Sequence, residues 1–63
     1  MRRCDLLFVP AAAGYTLLEQ RGLALEVGAR VTGLLDAEQV FVVSKIAPWA
    51  FDDRWCAYLQ AER

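Results

Sequence analysis

The sequence predicts a mainly β domain, a small, partly open barrel of four or five antiparallel strands. Three observations carry this expectation. Gln39 to Ile46 (QVFVVSKI) is a run rich in apolar and β-prone residues, entered through the turn-like Asp36-Ala37-Glu38. Other short β-prone segments are punctuated by Gly22, Gly28 and Gly33. Finally, 63 residues leave room for one core, and short strands with tight turns enclose such a core most economically as a small barrel. Residues 1–63 are therefore read as a single domain.

Taken in order, Asp5 to Val9 (DLLFV) reads as a first strand ended by Pro10, which has no N–H to give a ladder. Pro10 to Gly14 then supports two readings. A loop can lead into a returning strand, Tyr15 to Gln20, closed by a turn at Arg21-Gly22. Alternatively a helix over residues 11–21 puts Ala11, Tyr15 and Leu18 on one face, with Pro10 at its start and Gly22 past its end, which makes an α+β fold. The strand is favoured: Gly14 inside a helix costs about 1 kcal/mol relative to alanine, and Tyr15-Thr16 is a β-prone pair. Leu23 to Val27 alternates, and Ala29 to Leu35 reads as a strand with Gly33 at a bulge. In Gln39–Ile46, strict alternation groups Val40, Val42, Ser44 and Ile46 on one face and Phe41, Val43 and Lys45 on the other, which suits a central strand. Ala47 to Arg54 is a loop, Trp55 to Gln60 the last strand, and Ala61-Glu62-Arg63 a tail. The core expected from this pattern is Leu6, Phe8, Tyr15, Leu17, Val31, Val40, Val42, Ile46 and Leu59.

Composition narrows the function classes. Apolar and aromatic residues make up 57% of the chain, above the usual ~45–50%. A domain this small buries only about 60% of its unfolded surface. Some of its two tryptophans, two tyrosines and three phenylalanines are thus expected at the surface or in a subunit contact, which makes a homodimer an expectation. Seven basic against eight acidic residues give a net charge of −1. Phosphate binding favours a basic excess, so nucleic acid is disfavoured as a partner. Met1-Arg2-Arg3 and Ala11-Ala12-Ala13 imitate the ends of a secretory leader, but Asp5 interrupts the apolar run, which is shorter than the ~7–15 residues expected. No run approaches the ~18 apolar residues of a membrane span, and a cytoplasmic location is expected.

The stretch GARVTGLLDAEQVFVVSKI, followed by DDRWCAYLQ, resembles the strand-turn-strand core of small SH3-like barrels. It is also similar to short bacterial proteins that carry a GY-x-L segment and a terminal CAYL. The resemblance implies a fold, with no catalytic residue and no activity attached.

Little in the sequence suggests chemistry. The chain has no histidine, and so lacks the usual general base and the commonest metal ligand. Ser44, the single serine, sits in a strand and is expected to bond locally. The glycines are too widely spaced to cradle phosphate. Asp52-Asp53 alone falls short of the six to eight oxygens that calcium takes, so turn chemistry and an ion pair with Arg54 are expected there. Cys4 and Cys56 read as free thiols, or as a disulfide if the terminal strands are adjacent. Arg54, two residues from Cys56 along a strand, can lower that thiol's pKa. No enzyme activity, cofactor, metal or small-molecule substrate is expected.

The strongest candidate is aromatic. Trp49, Phe51, Trp55 and Tyr58 fall within ten residues, beside Pro48 and Asp52-Asp53-Arg54. Such rings are enriched at interfaces because they bury large area at low entropic cost. Trp49, Phe51, Arg54, Trp55 and Tyr58 are the expected contact residues for a protein partner or a second copy. Two alternatives stand beside this: a nucleic-acid-associated barrel using Arg2, Arg3, Arg30 and Arg54 around stacking rings, and a redox sensor using Cys4 and Cys56.

Overall fold

The computed structural model describes residues 1–12, 14–34 and 39–62. Arg2–Ala11 (β1) and Gly14–Leu25 (β2) form an antiparallel hairpin. Arg30–Val31 (β3) is short, Phe41–Pro48 (β4) follows, and Trp55–Ala61 (β5) ends the sheet. The strand order is β2-β1-β5-β4-β3. Every neighbouring pair is antiparallel except β1–β5, which is parallel, with Leu6 beside Cys56 and Phe8 beside Tyr58. No helix occurs among the described residues; 14–25 is strand, which overturns the helical alternative over 11–21.

The connections force this sheet to curl. β2 and β3 lie at opposite edges, and in a flat five-stranded sheet those edges would stand about 19 Å apart. Yet only residues 26–29 join them, folded into a turn in which the Ala29 N–H donates to the Glu26 carbonyl at 3.0 Å. Such a turn spans less than about 7 Å, so the two edges must approach each other near Leu25 and Arg30. The result is an open half-barrel, as the SH3-like reading anticipated. Gly28 N–H to the Val43 carbonyl (2.8 Å) and Val43 N–H to the Ala29 carbonyl (2.9 Å) lengthen the β3–β4 pairing. The concave side holds Cys4, Leu7, Val9, Leu25, Val31, Leu34, Phe41, Val43, Ala57 and Leu59.

This core departs from the expected one, and two bulges explain why. Cys4 and Leu7 both join the core, although an odd step separates them, which strict alternation forbids. The register irregularity between Cys4 and Leu6 supplies the change of face. In the same way Phe41 and Val43 are buried and Ile46 packs on the same cluster, because a second irregularity lies between Val43 and Lys45. Leu6, Val31 and Leu59 are buried as expected. Phe8, Tyr15 and Leu17 turn to the convex side instead, and Val40 and Val42 are only half-buried.

Each bulge is closed by a side chain. At the first, β2 carries the extra residues, and Gly22, with φ of +62°, turns its N–H onto the Asp5 carboxylate at 2.7 Å. Arg21-Gly22 is therefore a bulge inside one long strand and not the turn expected between two. At the second, the Ser44 hydroxyl donates to the Tyr58 carbonyl at 3.0 Å.

Other boundaries also shift. Among the described residues of the strand expected over 29–35, only Arg30–Val31 is regular strand, and β4 extends through Pro48, which pairs with Trp55. The strand within Gln39–Ile46 is interior, but β5 is the central one. The turn expected at Asp36–Glu38 lies outside the described residues. Cys4 and Cys56 are both free and buried, on the adjacent strands β1 and β5.

Candidate functional site

The convex face carries rings because alternation sends every second residue of β1, β2 and β5 outward. Phe8 on β1 is flanked by Tyr15 from β2, with ring centroids 4.7 Å apart, and by Tyr58 from β5 at 5.3 Å. Both pairs are tilted, within the range where aromatic contacts are favourable. Lys45, opposite Tyr58 on β4, holds its ammonium 5.2 Å from that ring's centroid. Ser44 and Gln60 complete the rim of a shallow depression of about 210 Å³. Tyr15 is 66% exposed and Leu17 42%, whereas Leu6, lower on the same face, is fully covered. The patch is apolar with one cation at its border.

A second aromatic pair stands on the β4–β5 hairpin. Trp49 and Phe51 meet edge to face at 5.6 Å, and Phe51 is 83% exposed. The loop is held from below. Trp49 N–H donates to the Arg54 carbonyl at 2.8 Å. Asp52 accepts from the Arg54 N–H at 2.9 Å and from its Nε at 2.8 Å, with Nη2 at 2.7 Å. These bonds hold the Asp52 carboxyl below the usual carboxylate range, the side-chain bond first and the backbone bond second, and the side-chain bond raises the Arg54 guanidinium.

The five residues expected at a partner surface thus go to separate places. Trp49 and Phe51 share the hairpin tip. Tyr58 joins Phe8 and Tyr15 on the convex face. Arg54 spans Asp52 and Glu19, the latter at 3.7 Å. Trp55 packs against the core beneath Arg2, whose guanidinium carbon lies 3.8 Å from the ring centroid. Strict alternation places Phe8 and Tyr15 in the core and so misses them, and Lys45 joins the rings only through its pairing with Tyr58 across β4 and β5. For Phe8 the available signal was the fully apolar Leu6–Val9 run, which has one face for the core and another to display.

The polar groups pair with each other. Arg3, Asp5, Glu19, Gln20, Arg21 and Arg54 line an open cleft of about 560 Å³ in which acids and bases alternate. Of the arginines weighed for nucleic acid, Arg2 covers Trp55, Arg30 pairs with Glu62 at 2.8 Å, Arg54 pairs with Asp52, and Arg3 lies 4.0 Å from Asp5. Burial pushes both thiols up, so the lowered pKa expected for Cys56 from Arg54 is overturned. Among the described residues no group of three or more His, Cys, Asp or Glu is placed to hold a metal ion, and no helix is long and apolar enough to cross a membrane. Compared with protein-family models, with curated proteins and with solved structures, the chain matches none of them.

Proposed function

We propose that this chain is a non-enzymatic, cytoplasmic protein-interaction module that binds its partner on the convex aromatic face. The hairpin tip of Trp49 and Phe51 serves as a second contact. The observation that supports this most is the exposed Phe8–Tyr15–Tyr58 cluster: three rings gathered from three strands where the fold does not need them for its core. Rings of this kind anchor interfaces once water is excluded around them. Lys45 at the border favours a partner segment that brings a carboxylate beside its apolar anchor.

The test is capture of protein from the native host by the immobilised chain, compared with Tyr15→Ala and Phe51→Ala. Both side chains are largely exposed, so both variants keep the fold. A partner retained by the wild type is expected to be lost with Tyr15→Ala and weakened with Phe51→Ala. Retention should change little with added salt, since the contact is apolar. Equal capture by all three proteins would refute the reading, and a steep loss with salt would favour nucleic acid instead.

A further inference from the structure

The free edge of β2 goes beyond that reading. Among the described residues nothing pairs with the outer side of β2, which ends the sheet. Natural edge strands are blunted by lysine, proline, bulges or shortness. The segment Gly14–Gln20 (GYTLLEQ) has none of these: it is regular, β-prone, and carries a single charge at Glu19.

The register shows which backbone groups are open. Ala11 and Gly14 close a tight hairpin, and such a closing pair exchanges its backbone bonds. Bonded pairs then recur at every second position, so Val9–Thr16 and Leu7–Leu18 are bonded. Pro10, with no N–H, falls opposite Tyr15 in a non-bonded pair, as this phase requires. The N–H and C=O of Tyr15, Leu17 and Glu19 therefore point away from β1, into the open edge.

We infer that β2 pairs antiparallel with β2 of a second copy of this chain, about a two-fold axis through Leu17. The hairpin end bounds the regular segment on one side and the Gln20–Gly22 bulge on the other, and Leu17 is its midpoint. A two-fold there gives the longest uninterrupted overlap, with about six backbone hydrogen bonds from three bonded pairs. Leu17 faces Leu17 of the second copy, and Tyr15 faces Glu19 of the second copy. Moving the axis to Glu19 would oppose two carboxylates, which disfavours it. Moving it to Tyr15 would run off the hairpin end. An isologous pairing of this kind closes on itself and leaves no further β2 edge exposed. It also sets two aromatic faces side by side on one continuous sheet.

The test is sedimentation of the intact chain over roughly 10 μM to 1 mM, the range suited to a small interface, with disulfide trapping beside it. Residues opposed in a bonded pair have Cα atoms about 5.5 Å apart, inside the ~4.4–6.8 Å that a disulfide takes. Leu17→Cys is expected to form a covalent dimer on oxidation roughly tenfold or more faster than Val27→Cys, an exposed control away from the axis. The native thiols are buried and contribute little background. Leu17→Lys is expected to abolish the non-covalent dimer while keeping its strand signature in circular dichroism. Tyr58→Ala is expected to dimerise normally, which separates this contact from the aromatic face. A monomeric wild type across that range, or Leu17→Cys trapped no faster than Val27→Cys, would overturn the inference.

Discussion

The two faces of one sheet divide the side chains by shape. The concave face takes aliphatic residues and a thiol, with Phe41 as its one buried ring; the convex face takes Phe8, Tyr15 and Tyr58. Both faces draw on the same strands, so propensity does not separate them. Volume does. A half-barrel of five short strands encloses a narrow interior where branched aliphatic chains interdigitate well. Phe41 is the one ring fully enclosed there, and Trp55 packs only at its border. An apolar residue in a domain this small is therefore poor evidence of a core position. Its shape and its phase in the strand matter more.

The largest effect that tests this division is a pair of leucines. Leu7→Ala on the concave face is expected to cost about 2–5 kcal/mol. A domain of this length has only about 3–9 kcal/mol in total, so the variant should be partly unfolded. Leu17→Ala on the convex face should cost less than about 1 kcal/mol. Urea denaturation followed by tryptophan fluorescence measures both. Similar midpoints for the two variants would mean that the faces are not energetically distinct.

The bulges that set the phase form a second, smaller contrast. Asp5→Ala leaves the part-buried Gly22 N–H without its acceptor and is expected to cost about 1–3 kcal/mol, while Asp5→Asn keeps a carbonyl in place and should recover most of it. Ser44→Ala removes a bond at an exposed site, where water can replace the hydroxyl, and should cost about 0.5 kcal/mol or less. Equal losses for Asp5→Ala and Asp5→Asn would show that charge, and not the backbone bond, is what Asp5 contributes.

These two residues also explain how far the sequence could be read. Strand existence was legible from β-prone runs and turn glycines, whereas residues 11–21 suited a helix as well as a strand until the β1–β2 pairing decided it. Phase was not legible, because strict alternation carries one face straight through a polar residue inside a strand. Asp5 and Ser44 are instead the points where inward and outward exchange. Gly22 suits a turn or a bulge equally well. The choice is made by the Asp5 carboxylate, 17 residues away in sequence, and no local pattern contains that information. The candidate site suffered accordingly. Trp49, Phe51 and Tyr58 stand out by their clustering, whereas strict alternation places Phe8 and Tyr15 in the core. Trp55 shows the converse: its clustering suggested display, and its pairing with Pro48 on β4 turned it onto the core.

The smallest expected effect concerns the hairpin tip, where the aromatic pair is displayed by a polar clasp. Arg54 holds the Asp52 carboxyl below its ordinary range in the folded chain, chiefly through the side-chain hydrogen bond. A carboxyl depressed on folding stabilises the native state above its unfolded pKa, and that contribution is lost as pH falls through the folded value. The clasp should therefore act fully near neutrality and fade in acid, below the ordinary carboxylate range. Both partners lie at the surface, so solvent screening keeps the effect small. Thermal unfolding of wild type and Asp52→Asn should show a slight gap at neutral pH that closes in acid and shrinks with added salt. A gap that widens in acid would mean that Asp52 is not the clasp. If Trp49 fluorescence in the folded protein shifts over the same acid range, the presentation of Trp49 and Phe51 depends on that one carboxylate. If it does not shift, the Trp49–Arg54 backbone bond is enough to hold the tip, and the two aromatic surfaces differ in what supports them: the convex face rests on the sheet, the hairpin tip on its own loop.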